Sequence, residues 1–397
     1  MKRILVSALA LTATTGLAHA QDGTVKIGVL NDQSSSFSAL GGTEVVRAVE
    51  LAIADHGGQA LGKPIELVSA DHQNKPEVGL GIARQWLEQD DVDVIADMAN
   101  SAIALGVNTL IGEKGRIGLF VSPLTDKFTE ADCNGNVIAW AYDAYSTFTS
   151  PVKALLAEGV DSFFILSPDY EAGKVQEATE IAAIEAGGGK VMGAVRAPLN
   201  STDFSAFLLQ AQASGAKALI LNANGPDLVN AVKQVQEFGL ISQGMVVGLG
   251  ILHQSDARAI GVEALQGARF ASPWFWKKDA ESEAFGRRMM EVTGNAPGWV
   301  AAGAYSAVSN YLKAVEAAGT DDPKKVLEQM RSMKIEDFFV KNATLYPNGR
   351  LVHDMYALQV KAPAEVGEKD DFFTLVSTVP AADAFLPYEK SACTIGK

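Results

Sequence analysis

The stretch Val92 to Val107 sets the pattern for much of the chain. Asp93-Val94-Ile95-Ala96 is a short apolar run with the character of a buried strand. It breaks at the polar turn Asp97-Met98-Ala99-Asn100-Ser101, and helical spacing begins at Ala102 and runs to about Gly112. The strand-turn-helix order recurs on either side. Val25 to Leu30 reads as a strand, Asn31 to Leu40 as a Ser-rich loop, and Gly42 to Asp55 as a helix with apolar residues at Val45, Val46, Val49, Ala52 and Ile53, closed by Gly57-Gly58. A strand at Ile65 to Ser69, a helix from Glu77 to Gln89 opened by Pro76, and a strand at Ile117 to Val121 complete a β/α alternation of parallel-sheet type.

The same order then repeats. Ser162 to Leu166 is a strand, Ser167 to Glu171 a polar loop, and Gly173 to Ala186 a helix closed by Gly187-Gly188-Gly189. Lys190 to Val195 is a strand and Asp203 to Ala213 a helix. Lys217 to Leu221 takes the part of Asp93 to Ala96, Asn222-Ala223-Asn224-Gly225 that of its polar turn, Pro226 to Phe238 that of its helix, and Met245 to Gly248 follows as the last strand. Matching glycine loops and matching polar turns favour duplication over chance resemblance of β/α units. The expected fold is α/β, with two Rossmann-like lobes. In open α/β sheets ligands bind beyond the carboxyl ends of the strands, so the cleft should be lined by 31 to 40, 97 to 101 and 122 to 126 from one lobe, and by 167 to 171, 222 to 225 and 248 to 253 from the other.

Beyond Arg269-Phe270-Ala271 come Trp274-Phe275-Trp276, a helix from Ala280 to Thr293, a long helix from Trp299 to Ala318 ended by Gly319, and a helix from Asp321-Asp322-Pro323 to about Met333. These helices are expected to return to the first lobe. Pro347-Asn348-Gly349 marks a turn between Ala343 to Tyr346 and Leu351 to Val360. The predicted organisation is a signal peptide at 1 to 20, a first lobe of 21 to 144 plus 275 to 346, and a second of 145 to 274 plus 347 to 397.

The amino terminus changes the setting. Lys2-Arg3, the apolar run Ile4 to Leu17 and Ala18-His19-Ala20 before Gln21 have the form of a secretory signal peptide rather than a membrane span, and a periplasmic location follows. No later stretch approaches the ~20 apolar residues of a spanning helix. Roughly 375 residues then remain, too many for one core and enough for two domains. Loss of Lys2 and Arg3 takes the formal charge from −14 to −16, which argues against nucleic acid and anionic lipid surfaces as partners. With only Cys133 and Cys393 in an exported chain, one disulfide is the simplest reading, two free thiols being the rival. In the chain-entropy model so long a loop contributes at most roughly 5 kcal/mol.

Candidate chemistry is sparse. No G-x-S-x-G, H-E-x-x-H, P-loop or C-x-x-C is present, and Gly248-x-Gly250 is followed by His253 where a dinucleotide fingerprint needs glycine. His56, His72, His253 and His353 lack metal-ligand spacing, and Asp71-His72 is a pair by adjacency alone. No enzyme activity, metal or cofactor is expected. The turn before Ala102 is different, because a helix N-terminus carries unpaired N–H groups and the positive end of the helix dipole. Asn100 and Ser101 therefore sit where a carboxylate would be received, unless Ser101 is simply an N-cap.

The ordered set KIGVL with its Ser-rich loop, the Gly57-Gly58 break, VDVIADMANSAIAL, Val121-Ser122-Pro123, Asp169-Tyr170 with Gly173, DFSAFLLQAQASGAKALIL and KQVQEFGL resembles the type I periplasmic solute-binding proteins of branched-chain-amino-acid-type ABC transporters, over essentially the whole mature chain. The resemblance implies two lobes joined by three hinge crossovers that close around a small-molecule solute, a membrane permease as partner, and a monomer. It carries ligand-facing roles to Phe37, Asn100, Ser101, Thr125, Tyr142, Tyr170, Asn224 and the Gly248 to Ile251 loop with Gly250. Amino-acid binders of the family hold the α-ammonium with a carboxylate in that last loop, and this chain has none there; an unpaired buried ammonium is costly by several kcal/mol. Trp140-Ala141-Tyr142-Asp143, Trp274-Phe275-Trp276, the Asn222 to Gly225 turn and the cysteine positions are similar to the subfamily that binds benzoates and hydroxycinnamates. Aromatic faces suit a flat ring, while hinge aromatics of this kind also serve as core. Delivery to a permease and sensing through a receptor both fit such a trap.

Overall fold

The computed structural model describes residues 24–397, so the predicted signal peptide lies outside the described residues. In chain order the principal elements are β1 (Lys26–Asn31), α1 (Gly42–Asp55), β2 (Glu66–Asp71), α2 (Pro76–Glu88), β3 (Val94–Ala96), α3 (Ser101–Lys114), β4 (Ile117–Phe120), β5 (Val137–Ala139) and α4 (Ala144–Ala157). There follow β6 (Ser162–Pro168), α5 (Glu171–Ala186), β7 (Lys190–Ala197), α6 (Ser205–Ala213), β8 (Ala218–Leu221), α7 (Gly225–Glu237), β9 (Val246–Leu249), α8 (Gln254–Ile260) and β10 (Arg269–Ser272). The chain ends with α9 (Ala280–Thr293), α10 (Trp299–Ala318), α11 (Pro323–Ser332), β11 (Met355–Val360) and β12 (Phe373–Val379).

Two sheets organise these elements. The first has the order β2-β1-β3-β4-β5 and is parallel throughout. In the second, β7-β6-β8-β9-β10 repeats that order in parallel, and β11 and β12 extend it, with β11 antiparallel to both its neighbours. The duplication read from the sequence is thus a duplication of topology. Both sheets are covered on both faces, which is why their strands are apolar runs without alternation. On one face of the first sheet Ile27, Val29, Val94 and Leu119 pack with Val45 and Val49 of α1 and with Val300, Ala304 and Val308 of α10; on the other Leu30, Ile95 and Phe120 pack with α2 and α3. The helices after residue 280 therefore return to the first sheet, as expected, and α1 against α10 forms the main helix pair of that face.

The chain passes between the sheets after β5, after β10, and between the short strand Leu351–Val352 and β11. The predicted strand Leu351 to Val360 is accordingly two strands in different sheets. Met245 to Gly248 does not hold the last parallel strand of the second lobe, since β10 follows it; Arg269-Phe270-Ala271-Ser272 is too short and too polar at its start to signal a strand alone. Cys133 and Cys393 form a disulfide, and the segment before Cys393 is fastened beside it: Ser391 Oγ and the Ala392 N–H both donate to Glu130 Oε2, at 3.0 and 2.5 Å.

Candidate functional site

A 2-1-3-4-5 strand order has one switch point, where the connections from the first and third strands leave on opposite faces and open a crevice at the carboxyl edge. In the first sheet those connections are residues 32–41 and 97–100, in the second 169–170 and 222–224. The crevices are therefore built from the loops that carry Phe37, Asn100 and Ser101 on one side and Tyr170 and Asn224 on the other.

Asp32 shapes the first loop. Its carboxylate accepts the N–H groups of Ser34, Ser35 and Phe37 and the Ser35 hydroxyl at 2.6 to 3.3 Å. Burial opposes ionisation of Asp32, yet the Ser35 hydroxyl and the three N–H groups together hold it below the ordinary carboxylate range. The turn this produces leaves Phe37 36% exposed. The second loop is backbone-strained, with φ of 69° at Asp97 and 109° at Met98, values few side chains tolerate. What holds it is the buried Asp97 carboxyl, which accepts from the Ser122 hydroxyl and from Asn31 Nδ2. Burial raises Asp97 to about 6 against the pull of those hydrogen bonds.

The cap of α3 is Asn100, not Ser101. Asn100 Oδ1 accepts from the N–H groups of Ala102 and Ile103 at 2.8 and 3.0 Å, and Nδ2 donates to Asn74 Oδ1 at 2.5 Å. Ser101 is the half-buried first residue of the helix, at the positive end of its dipole. Thr125 is also half-buried, in the loop after β4, where its hydroxyl accepts from the Lys127 N–H at 3.4 Å. The Ser122 to Asp97 contact joins this loop to the α3 turn. Tyr142 lies beneath them: its hydroxyl donates to the Ser122 carbonyl at 2.6 Å, and its ring meets Trp299 edge-on at 4.6 Å. The other hinge aromatics are core. Trp140, Trp274 and Trp276 are buried, their indole N–H groups bonded to Ser306 Oγ, Ser282 Oγ and the Asp370 carbonyl.

Across the hinge, Tyr170 is 40% exposed at the start of α5 and Asn224 is exposed at the start of α7; neither side chain caps its helix. Both line a small cavity of about 100 Å³ with Ser167, Leu199 and Asp227. Behind it stands a network that periodicity did not reveal. Asn222 Nδ2 donates to Glu180 Oε2 at 2.6 Å and Ser167 Oγ at 3.2 Å, while Gln176 Nε2 donates to Asn222 Oδ1 at 2.7 Å and Glu180 Oε1 at 3.0 Å. Burial lifts Glu180 to about 8 despite these bonds. Gly250 is buried against this network: a Cβ there would stand 2.5 Å from Gln176 Nε2 and 2.6 Å from Asn222 Oδ1. Next to it His253 stacks on Trp299 at 5.3 Å, with burial holding its pKa down.

A second opening between the sheets, about 510 Å³, is lined by Gln33, Ser38, Glu44 and Arg47 from the first and Arg258 from α8. Arg258 is tied to both oxygens of Asp370 at 2.8 and 3.0 Å. Glu44 is pushed up to about 7 by burial, against the attraction of Arg258, and its Oε1 has no hydrogen-bond partner.

The paired sheets are joined by three crossings, with loops gathered at their carboxyl edges, and residues 24–367 match the family model described as periplasmic binding protein. The chain belongs to that family. Among solved structures, this periplasmic binding protein is 39% identical to a branched chain amino acid ABC transporter periplasmic ligand-binding protein from Burkholderia xenovorans LB400, over 94% of this chain and 100% of that one, with a TM-score of 0.92. It is 25% identical to a Leu/Ile/Val-binding protein homolog of Brucella melitensis biotype 1, covering 84% of this chain and 86% of the relative. A solute binding protein from R. palustris in complex with 4-hydroxybenzoate shares the fold at 21% identity and a TM-score of 0.76, over 90% and 97% of the two chains. The fold and family are those of binding proteins without catalytic activity. Among the described residues no helix is long and apolar enough to cross a membrane, and no group of His, Cys, Asp or Glu is placed to hold a metal.

Proposed function

We propose that this protein, the periplasmic solute-binding component of an ABC transporter, takes a small aromatic carboxylate of the benzoate or hydroxycinnamate type. The observation that carries the reading is the Leu249 to His253 connection. It contains no carboxylate, and Gly250 within it is packed against the Gln176 and Asn222 amides, so the connection itself gives an ammonium no acidic partner; the one carboxylate lining the adjoining cavity, Asp227, already accepts the Asn200 N–H. In the first sheet, Ser101 and the N-terminus of α3 favour an anion, and Phe37 and Tyr170 are the exposed aromatic rings at the two switch points. The carboxylate is assigned to Ser101 with Thr125, and the ring to Phe37 and Tyr170, with Tyr142 as the floor and Asn224 available to a ring hydroxyl.

Titration calorimetry of 4-hydroxybenzoate, p-coumarate and leucine tests this. Heat from the aromatic acids alone supports the reading; micromolar leucine binding with silent aromatic acids overturns it. Leucine binding would favour a second reading, as a branched-chain amino-acid carrier. The name of the Burkholderia xenovorans relative and the carboxyl-bearing Glu44 at the opening between the sheets speak for it. In that case Glu44→Gln abolishes binding. A permease and ATPase gene pair beside the gene favours delivery, a regulator gene sensing.

A further inference from the structure

Away from both switch points, α4, α5 and residues 377 to 390 enclose an open groove of about 970 Å³. That lies within the size range of sites that bury small ligands. One wall is a helix with a mixed inner face: α5 buries Ile184, with Ile181 and Ala183 packed beside it, but it also turns Glu177 and Glu180 inward, where Arg196 and Asn222 satisfy them. Its exposed side carries Val175, Ala178, Ala182 and Ala186, with Val175 54% exposed. These residues recur at three- and four-residue intervals, so they form one continuous apolar wall. Solvent alone gives no reason for that wall, since polar residues would serve as well there.

The opposite wall supplies a charge. Lys153 of α4 donates to the Asp383 carbonyl and, at 3.3 Å, to the Tyr145 hydroxyl, and its ammonium lies 4.7 Å above the Tyr145 ring. An ammonium has three N–H groups, so one remains for a ligand. Exposed Lys390 stands on the same rim. Two lysines, Lys153 and Lys390, and one exposed carboxylate, Asp383, border the groove, and in a chain of net charge −14 that local cationic excess favours an anion. Alanine methyls make the groove wide enough for an alkyl chain but offer few anchors of the kind protein partners use.

We propose that this groove binds a single-chain amphiphilic carboxylate, its alkyl chain along Val175, Ala178 and Ala182 and its head group on Lys153. The test is fluorescence titration of the mature protein with cis-parinaric acid, followed by displacement with decanoate or decylamine. Saturable binding at one probe per chain, displaced by decanoate and not by decylamine, is expected. Ala182→Trp, and separately Ala178→Trp, should abolish it by filling the groove, with the thermal unfolding midpoint kept. Lys153→Met should weaken it by about ten-fold, the loss of one charged hydrogen bond. The proposal is overturned by absence of saturable binding, by binding that survives both tryptophan variants, or by displacement with decylamine equal to that with decanoate. Light scattering that finds a dimer dissolved by Ala182→Trp overturns it in favour of a second copy in the groove.

Discussion

Asn100 and Ser101 are neighbours with separable roles. Asn100 caps α3 and braces Asn74, so Asn100→Ala should cost about 1 kcal/mol of stability as well as affinity. Ser101→Ala should leave denaturant unfolding unchanged and weaken the solute by about 2 kcal/mol, as expected for a hydrogen bond to a charged group; calorimetry beside urea titration separates the two. Glu180 gives a pH signature. Its burial raises it from an ordinary 4.5 to about 8, so between those values the folded chain keeps a proton that the unfolded chain has lost. Stability must then fall as pH rises through that window and level off above it. In Glu180→Gln this contribution disappears, and thermal unfolding between pH 4.5 and 8 should show a shallower decline than in the wild type. Asp97, raised to about 6, acts in the same sense over a narrower range.

At the scale of elements, the β/α alternation was legible because parallel strands buried on both faces are uninterrupted apolar runs, and because Gly and Pro mark their ends. The Pro347-Asn348-Gly349 turn is a clear case. Gly349 has φ 87°, and a Cβ there would lie 1.9 Å from the Val137 carbonyl oxygen. Gly349→Ala should therefore destabilise by about 3 kcal/mol or more, or prevent accumulation of folded protein, as followed by urea unfolding and soluble yield. Helix α4 escaped the sequence reading for the opposite reason. Its first half is rich in Ser and Thr and it contains Pro151; what starts it is a capping box in which Asp143 accepts from the Ser146 N–H and the Ser146 hydroxyl accepts from the Asp143 N–H. In the candidate site, the loops were legible from their polar turns. The Gln176, Glu180 and Asn222 network was not, because it pairs a helix with a strand end more than forty residues away, and periodicity is blind to such contacts. The hinge tryptophans show a further limit: composition identifies them, but only packing shows that they face the core.

For the whole molecule, two sheets linked by three crossings imply a solute read through shape. Small-angle scattering should give a smaller radius of gyration at saturation than without solute, and an unchanged radius would refute closure. The disulfide adds a property of a different kind. Cys133 and Cys393 are 260 positions apart, and every strand of the second sheet, with α4 through α11, lies between them. The covalent structure is thus a large ring carrying two tails, one of which is most of the first sheet. A ring cut once stays in one piece. A single proteolytic nick at an exposed loop between those cysteines should leave the mass of the protein whole on a non-reducing gel and yield two fragments only after reduction. An exported protein built this way can sustain a backbone break in its second half without losing either piece.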